Sequence, residues 1–93
     1  MIPKEFGPRL KLSRHRKNLN QIEISKMLKI SRQAYGNYEL GRAVPSVYTL
    51  AELTLLLDTD FFSIFLEAAA SDNSFQSNNQ QFDFQQNSSS KRK

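Results

Sequence analysis

A chain of 93 residues without cysteine holds one modest core at most, since domains commonly run to about 100 to 150 residues, and it can build neither a disulfide frame nor a thiolate metal site. No stretch reaches the roughly 18 to 20 uninterrupted apolar residues of a membrane helix, and the N-terminus lacks the apolar segment of a secretory signal, so a cytoplasmic protein with no membrane partner is expected. The net charge of +4 conceals a division: residues 1–42 carry ten Lys/Arg against three acids, while residues 43–71 carry four acids and no Lys/Arg. A basic first half suits a polyanion while the second half faces something else; two merely solvated faces are the bland alternative.

Apolar spacing and helix punctuation predict an all-α domain of five short helices, with no competing strand pattern and no internal repeat. The first runs from about Gly7 to Lys17, with Pro8 tolerated in its first turn and Asn18 as a left-handed stop. Phe6, Leu10 and Ser13 share its thin apolar side. Asn20 caps the second helix, QIEISKMLK, whose inward stripe is Ile24, Met27 and Leu28, with Leu19 as a staple residue before the cap. Ser31 caps the third, from Arg32 to Leu40, and Gly41 ends it.

Pro45 and Ser46 open the fourth helix, where Leu50, Leu53, Thr54 and Leu57 form the stripe and Val47 and Leu56 flank it. Thr59 or Asp60 caps the fifth, FFSIFLEAAA, which holds more apolar residues than one narrow face can bury, so some are expected to stay exposed on a monomer. From Ser71 the composition turns to Asn, Gln and Ser, which cannot bury enough surface to offset ordering entropy. The expected organisation is a folded helical domain over residues 1–70 and a disordered tail over 71–93. The FDF motif and the closing Lys91, Arg92 and Lys93 could be sticky or phosphate-touching elements; an inert tail is the alternative.

The second and third helices are joined by only Lys29 to Ser31, which forces a steep crossing, the helix-turn-helix geometry of residues 20–40. In such a pair the first helix spans phosphates and the second enters the major groove, which is about 12 Å wide. On the third helix, Ala34, Tyr35 and Tyr38 point towards the other helices and Arg32, Gln33, Gly36 and Asn37 point away. Arg32 has the donor geometry for guanine, and Gln33 or Asn37 the donor and acceptor geometry for adenine. Gly36 either lets the backbone approach bases or a thymine methyl, at a cost in helix propensity of about 1 kcal/mol, or is a neutral surface position. Double-stranded DNA is therefore the expected partner.

Arg14, NQIEIS, ISRQAYGNYELGR and PSVYTLAEL, spaced over residues 6–65, resemble the lambda repressor/Cro-like helix-turn-helix domain of the XRE family of bacterial regulators. The resemblance implies a compact five-helix DNA-binding fold. It implies base reading by Arg32, Gln33 and Asn37, backbone contacts from Arg42 and Tyr48, and for Gln21 a phosphate contact together with bracing of the first residues of the third helix; apart from the resemblance, Gly36 is counted with the base-facing residues and Ser31 and Lys26 with the backbone contacts. It also implies an internal ion pair of Arg14 with Glu39 that orients the third helix. Lys11, Arg16 and Lys17 add sequence-independent attraction, and only cations close to the backbone steepen the salt dependence. Two positions depart from the family pattern: Lys29 stands where glycine is usual, although a lysine with positive φ is uncommon, and Ser13 stands where a large apolar residue is usual.

An enzyme is not expected. The single histidine, His15, lies in the basic SRHRK run, and no nucleophile motif, metal-ligand cluster or phosphate loop appears, so neither cofactor nor metal is anticipated. The expected function is a sequence-specific transcriptional regulator, a repressor that binds a palindromic operator as a homodimer, its recognition helices about 34 Å apart. Phe61, Phe62 and Phe65 would form the dimer seam. The competing reading is a partner-dependent module, such as an antitoxin or accessory subunit, that grips another protein through the fifth helix or the tail.

Overall fold

In the computed structural model, which describes residues 2–71, five helices follow one another: α1 (Phe6–Arg16), α2 (Gln21–Leu28), α3 (Arg32–Glu39), α4 (Val47–Leu57) and α5 (Phe62–Ala70). There is no strand among the described residues, and no helix among them is long and apolar enough to cross a membrane. The tail expected from residue 71 lies outside the described residues apart from Ser71, whose hydroxyl donates to the Glu67 carbonyl at 2.9 Å and closes α5.

Local chemistry sets the helix starts. Asn20 and Glu23 form a reciprocal capping box, with Glu23 N–H donating to Asn20 Oδ1 and Asn20 N–H to Glu23 Oε1, each at 2.8 Å. The Ser31 and Ser46 hydroxyls accept from the Ala34 and Thr49 N–H groups and cap α3 and α4. At α5 the alternatives separate: Asp60 Oδ1 accepts from Ser63 N–H at 3.2 Å, whereas Thr59 turns inward and does not cap. That helix begins at Phe62, one residue later than expected.

Each of the first four helices stops at one left-handed residue: Asn18, Lys29, Gly41 and Asp58. After all four, the next N–H reaches back five residues, from Leu19 to Arg14, Ile30 to Ser25, Arg42 to Asn37 and Thr59 to Thr54, which is the Schellman arrangement. Lys29, at φ 61°, takes the position where glycine was the usual residue, so the turn into α3 keeps its shape but places a side chain in a strained backbone region.

The core gathers Phe6, Leu10, Ile24, Leu28, Tyr35, Leu50, Leu53, Leu57, Phe61 and Ile64 from all five helices. Phe6 joins the two ends of the domain, meeting Phe61 edge-on at 5.9 Å and Phe65 at 5.1 Å. The expected stripe of α2 is rotated: Met27 is 48% exposed, and Ser25 is buried in its place, because the serine hydroxyl is satisfied within the helix by the Ile22 carbonyl at 2.8 Å. On α4, Leu56 packs against the core while Val47, before the first buried turn, stays in water.

Ser13 is buried, and its hydroxyl accepts from that of Thr59 at 3.0 Å, so α1 is tied to the turn after α4 by a polar bond at the position where a large apolar residue is usual. Thr54 Oγ1 is the one buried side-chain polar atom among the described residues without a partner, and nothing in the packing explains it.

Since a left-handed backbone costs a non-glycine residue about 1 to 2 kcal/mol, Lys29→Gly is expected to raise stability by about 1 kcal/mol in urea or thermal unfolding; an unchanged midpoint would show that the turn carries no strain at Lys29.

Candidate nucleic-acid interface

The outer face of α3 is positioned from within by the Glu39 side chain at its C-terminal end. Arg14 Nε donates to Glu39 Oε2 at 2.6 Å and its Nη2 to Oε1 at 3.2 Å, in an ion pair whose side chains are only 7% and 5% exposed. Tyr35 Oη also donates to Oε2, and Gln21 Nε2 to Oε1 at 3.0 Å, so the carboxylate accepts four bonds, about its full capacity. Arg14 Nη1 donates further to the Leu19 carbonyl at 2.8 Å.

Burial alone would push the Glu39 carboxyl up, but the bonds from Arg14, Tyr35 and Gln21 outweigh it and hold the group below its ordinary range. The hydrogen bond to Glu39 raises Arg14 despite the opposing effect of burial. Burial first, and then its bond to Glu39, pushes the Tyr35 phenol far up.

On the outside of the network lies a shallow cleft lined by Lys11, Gln21, Arg32, Gln33, Gly36, Asn37, Glu39, Leu40 and Arg42. The four residues expected to read bases thus share one surface with Gln21 and Arg42. Arg32 Nη1 donates to Gln21 Oε1 at 3.0 Å, so this arginine is tethered to the first residue of α2 and, through it, to Glu39. Gly36 has ordinary helical backbone, and a Cβ built on it would meet only Gln21 Oε1 at 3.8 Å, an ordinary contact. Neither backbone conformation nor internal packing therefore requires glycine there.

Ser31 is exposed but its hydroxyl is already the cap of α3. Lys26, in the last turn of α2, and Tyr48, 74% exposed in the first turn of α4, do not line the cleft. The expected seam needs correction: Phe61 is fully buried against Phe6, and Phe62 and Phe65 are half-buried against the core, so Phe61 has no surface to offer a second chain. Among the large apolar side chains of α5, the exposed one is Leu66, at 65%.

Sequence reasoning passed over Gly7. A Cβ there would lie 2.3 Å from the Glu39 carbonyl oxygen, so α1 and the end of α3 are in backbone contact and only glycine fits. The available signal was a helix-weakening glycine three residues before Leu10, with no turn to justify it.

A family model described as Helix-turn-helix matches residues 10–63. The chain is 45% identical over 58 residues to an SPbeta prophage-derived HTH-type transcriptional regulator, YonR, of Bacillus subtilis (strain 168), covering 60% of this chain and 54% of that protein. It is 37% identical over 57 residues to the ImmF control region 10 kDa protein of Bacillus phage phi105, covering 61% of this chain and 63% of that one. The chain thus spans less than two thirds of the length of each of these relatives. No solved structure matches it.

Removing one partner of a buried ion pair costs about 3 to 5 kcal/mol, and Glu39→Ala is expected to lose stability on that scale in urea unfolding; an unchanged midpoint would contradict the network. Because the folded carboxyl titrates below the unfolded one, the stability from Glu39 is fully present above pH about 4.5 and is lost as pH falls through the folded value. Tyr35, raised on folding, gives stability present below pH about 10 and lost above it. Glu39→Gln should therefore be less stable near neutrality and lack part of the acid limb in a pH series of melting temperatures.

Proposed function

The chain belongs to the helix-turn-helix family, in its XRE form, and from that premise we propose that it is a sequence-specific DNA-binding transcriptional regulator, a cytoplasmic repressor that binds a two-fold-related operator as a homodimer. The observation that carries this reading is the shared face of Gln21, Arg32, Gln33, Gly36 and Asn37, formed where the N-terminus of α2 meets the outer side of α3. In the proposed complex α3 lies in the major groove. Gln21 holds a phosphate at the N-terminus of α2, where unpaired N–H groups favour anions.

Arg32, Gln33 and Asn37 read base edges. The bond from Arg32 to Gln21 supports the reading because a long, flexible side chain is held before contact, which reduces the ordering entropy lost on binding. Arg42 lines the same cleft, and its guanidinium is assigned to a phosphate. Lys26, Ser31 and Tyr48 retain at most peripheral backbone roles in this scheme. The relatives' names, a prophage-derived transcriptional regulator and a phage control region protein, agree with a regulatory role.

A second reading, a module working through a protein partner, has one observation in its favour: Leu55 on α4 and Leu66 on α5 are 82% and 65% exposed. Those residues equally suit a second copy of the chain, and the homodimer is preferred because two-fold symmetry would let two recognition helices meet major grooves one turn apart.

Selection of bound duplexes from a random pool at near-physiological salt is expected to enrich half-sites about one helical turn apart; enrichment of nothing, with only salt-sensitive binding left, would favour the partner-dependent module. On the enriched duplex, Gln33→Ala or Asn37→Ala should cost about 1 to 3 kcal/mol and relax the preference at one position, whereas an equal loss on every sequence would remove them as readers. Gly36→Ala should stabilise the fold by up to about 1 kcal/mol and still weaken the enriched complex; unimpaired binding would make Gly36 a neutral position.

A further inference from the structure

Lys11 stands out once the α1 surface is traced against α3. Gly7, Lys11 and Arg14 follow at helical spacing along one stripe. The outer two both meet Glu39: the Gly7 backbone packs against its carbonyl oxygen, and Arg14 pairs with its carboxylate. Lys11 lies between them and is exposed, and it is the α1 residue that lines the cleft beside Gly36, Asn37 and Arg42.

Its charge has no internal use. The carboxylate of Glu39 already accepts four bonds from other side chains, and the one ion pair among the described residues is that of Arg14 with Glu39. An uncompensated ammonium on a surface shared with base-reading groups is suited to a polyanion, and lysine, as a compact point charge, suits a phosphate better than a base edge requiring bidentate geometry.

We infer that Lys11 is a DNA-backbone contact, so that α1, otherwise a scaffold helix, supplies a phosphate ligand to the same cleft that Gln21 lines from the N-terminus of α2. Gly7 makes this possible by letting α1 lie close enough to α3 for the ammonium to emerge on the DNA side. The inference rests on the DNA-binding reading above and assigns to Lys11 a role that the other α1 cations do not share.

The test is equilibrium binding of the full chain, over about 50 to 200 mM salt, to the enriched duplex and to a scrambled one. Lys11→Gln should lower the slope of log affinity against log salt by about 1 on both duplexes, with the preference between them unchanged. Lys17→Gln, an exposed lysine at the end of α1 that does not line the cleft, should leave the slope unaltered. Melting temperatures equal to that of the parent chain would confirm that both variants are folded.

An unchanged slope for Lys11→Gln, or a loss confined to the enriched duplex, would overturn the backbone assignment. Failure of the parent chain to distinguish the duplexes would instead overturn base reading by α3, while the slope comparison would still decide Lys11. Absence of any binding would overturn both.

Discussion

A carboxylate taken out of water must find donors for its lone pairs, and the position at which this chain buries one determines how three helices sit together. Glu39 terminates α3, and its partners come from α1 through Arg14, from α2 through Gln21 and from α3 itself through Tyr35. Arg14 also reaches the Leu19 carbonyl in the turn between α1 and α2. A buried ion pair is weak grounds for stability, because desolvation offsets much of the attraction. Directional bonds from three helices do specify an arrangement, since moving any one helix would leave a buried charge short of donors.

The apolar core works on the same arrangement from the opposite side. Tyr35 is fully buried in the core, its ring edge-on to Tyr38 at 6.2 Å, while its hydroxyl reaches Glu39, so one side chain belongs to both systems. Phe6 then ties α1 to α5 through two aromatic contacts. The contact of Gly7 with the Glu39 carbonyl makes the spacing between α1 and α3 a matter of steric exclusion as well as attraction. Chain sequence, backbone approach and polar satisfaction therefore converge on the orientation of α3, whose outer face is the proposed recognition surface.

Much of the fold was legible because its signals are local. Asn20 with Glu23, Ser31 and Ser46 are caps whose chemistry acts within three residues, and Asn18 and Gly41 are stops recognisable by their tolerance of a left-handed backbone. What escaped is helix rotation. Periodicity tells which residues share a face, but neighbours about 100° apart compete for the interior. Met27 was exchanged for Ser25, and Phe61 went inward instead of forming a seam. The inward turn of Thr59 towards Ser13 depends on tertiary placement, which single-chain spacing does not carry. Gly7 was visible as a residue but not as a contact, because its function is the absence of a side chain opposite a carbonyl 32 positions later.

The left-handed stops have one more consequence, for how such a domain can change in length. With α1 and α2 separated by four residues, α2 and α3 by three and α4 and α5 by four, the chain turns at these junctions with almost no slack. One added residue between Lys29 and Ser31 would disturb the bond from Ile30 N–H to Ser25 or the Ser31 cap, and would turn α3 about its own axis. Gln33 and Asn37 would then face elsewhere, and Glu39 would leave its donors. The seven-residue passage from α3 to α4 is the longest of the four junctions, and Arg42 and Val44 are exposed in it before the buried Pro45. A change in chain length is accommodated more easily there than at the three shorter junctions.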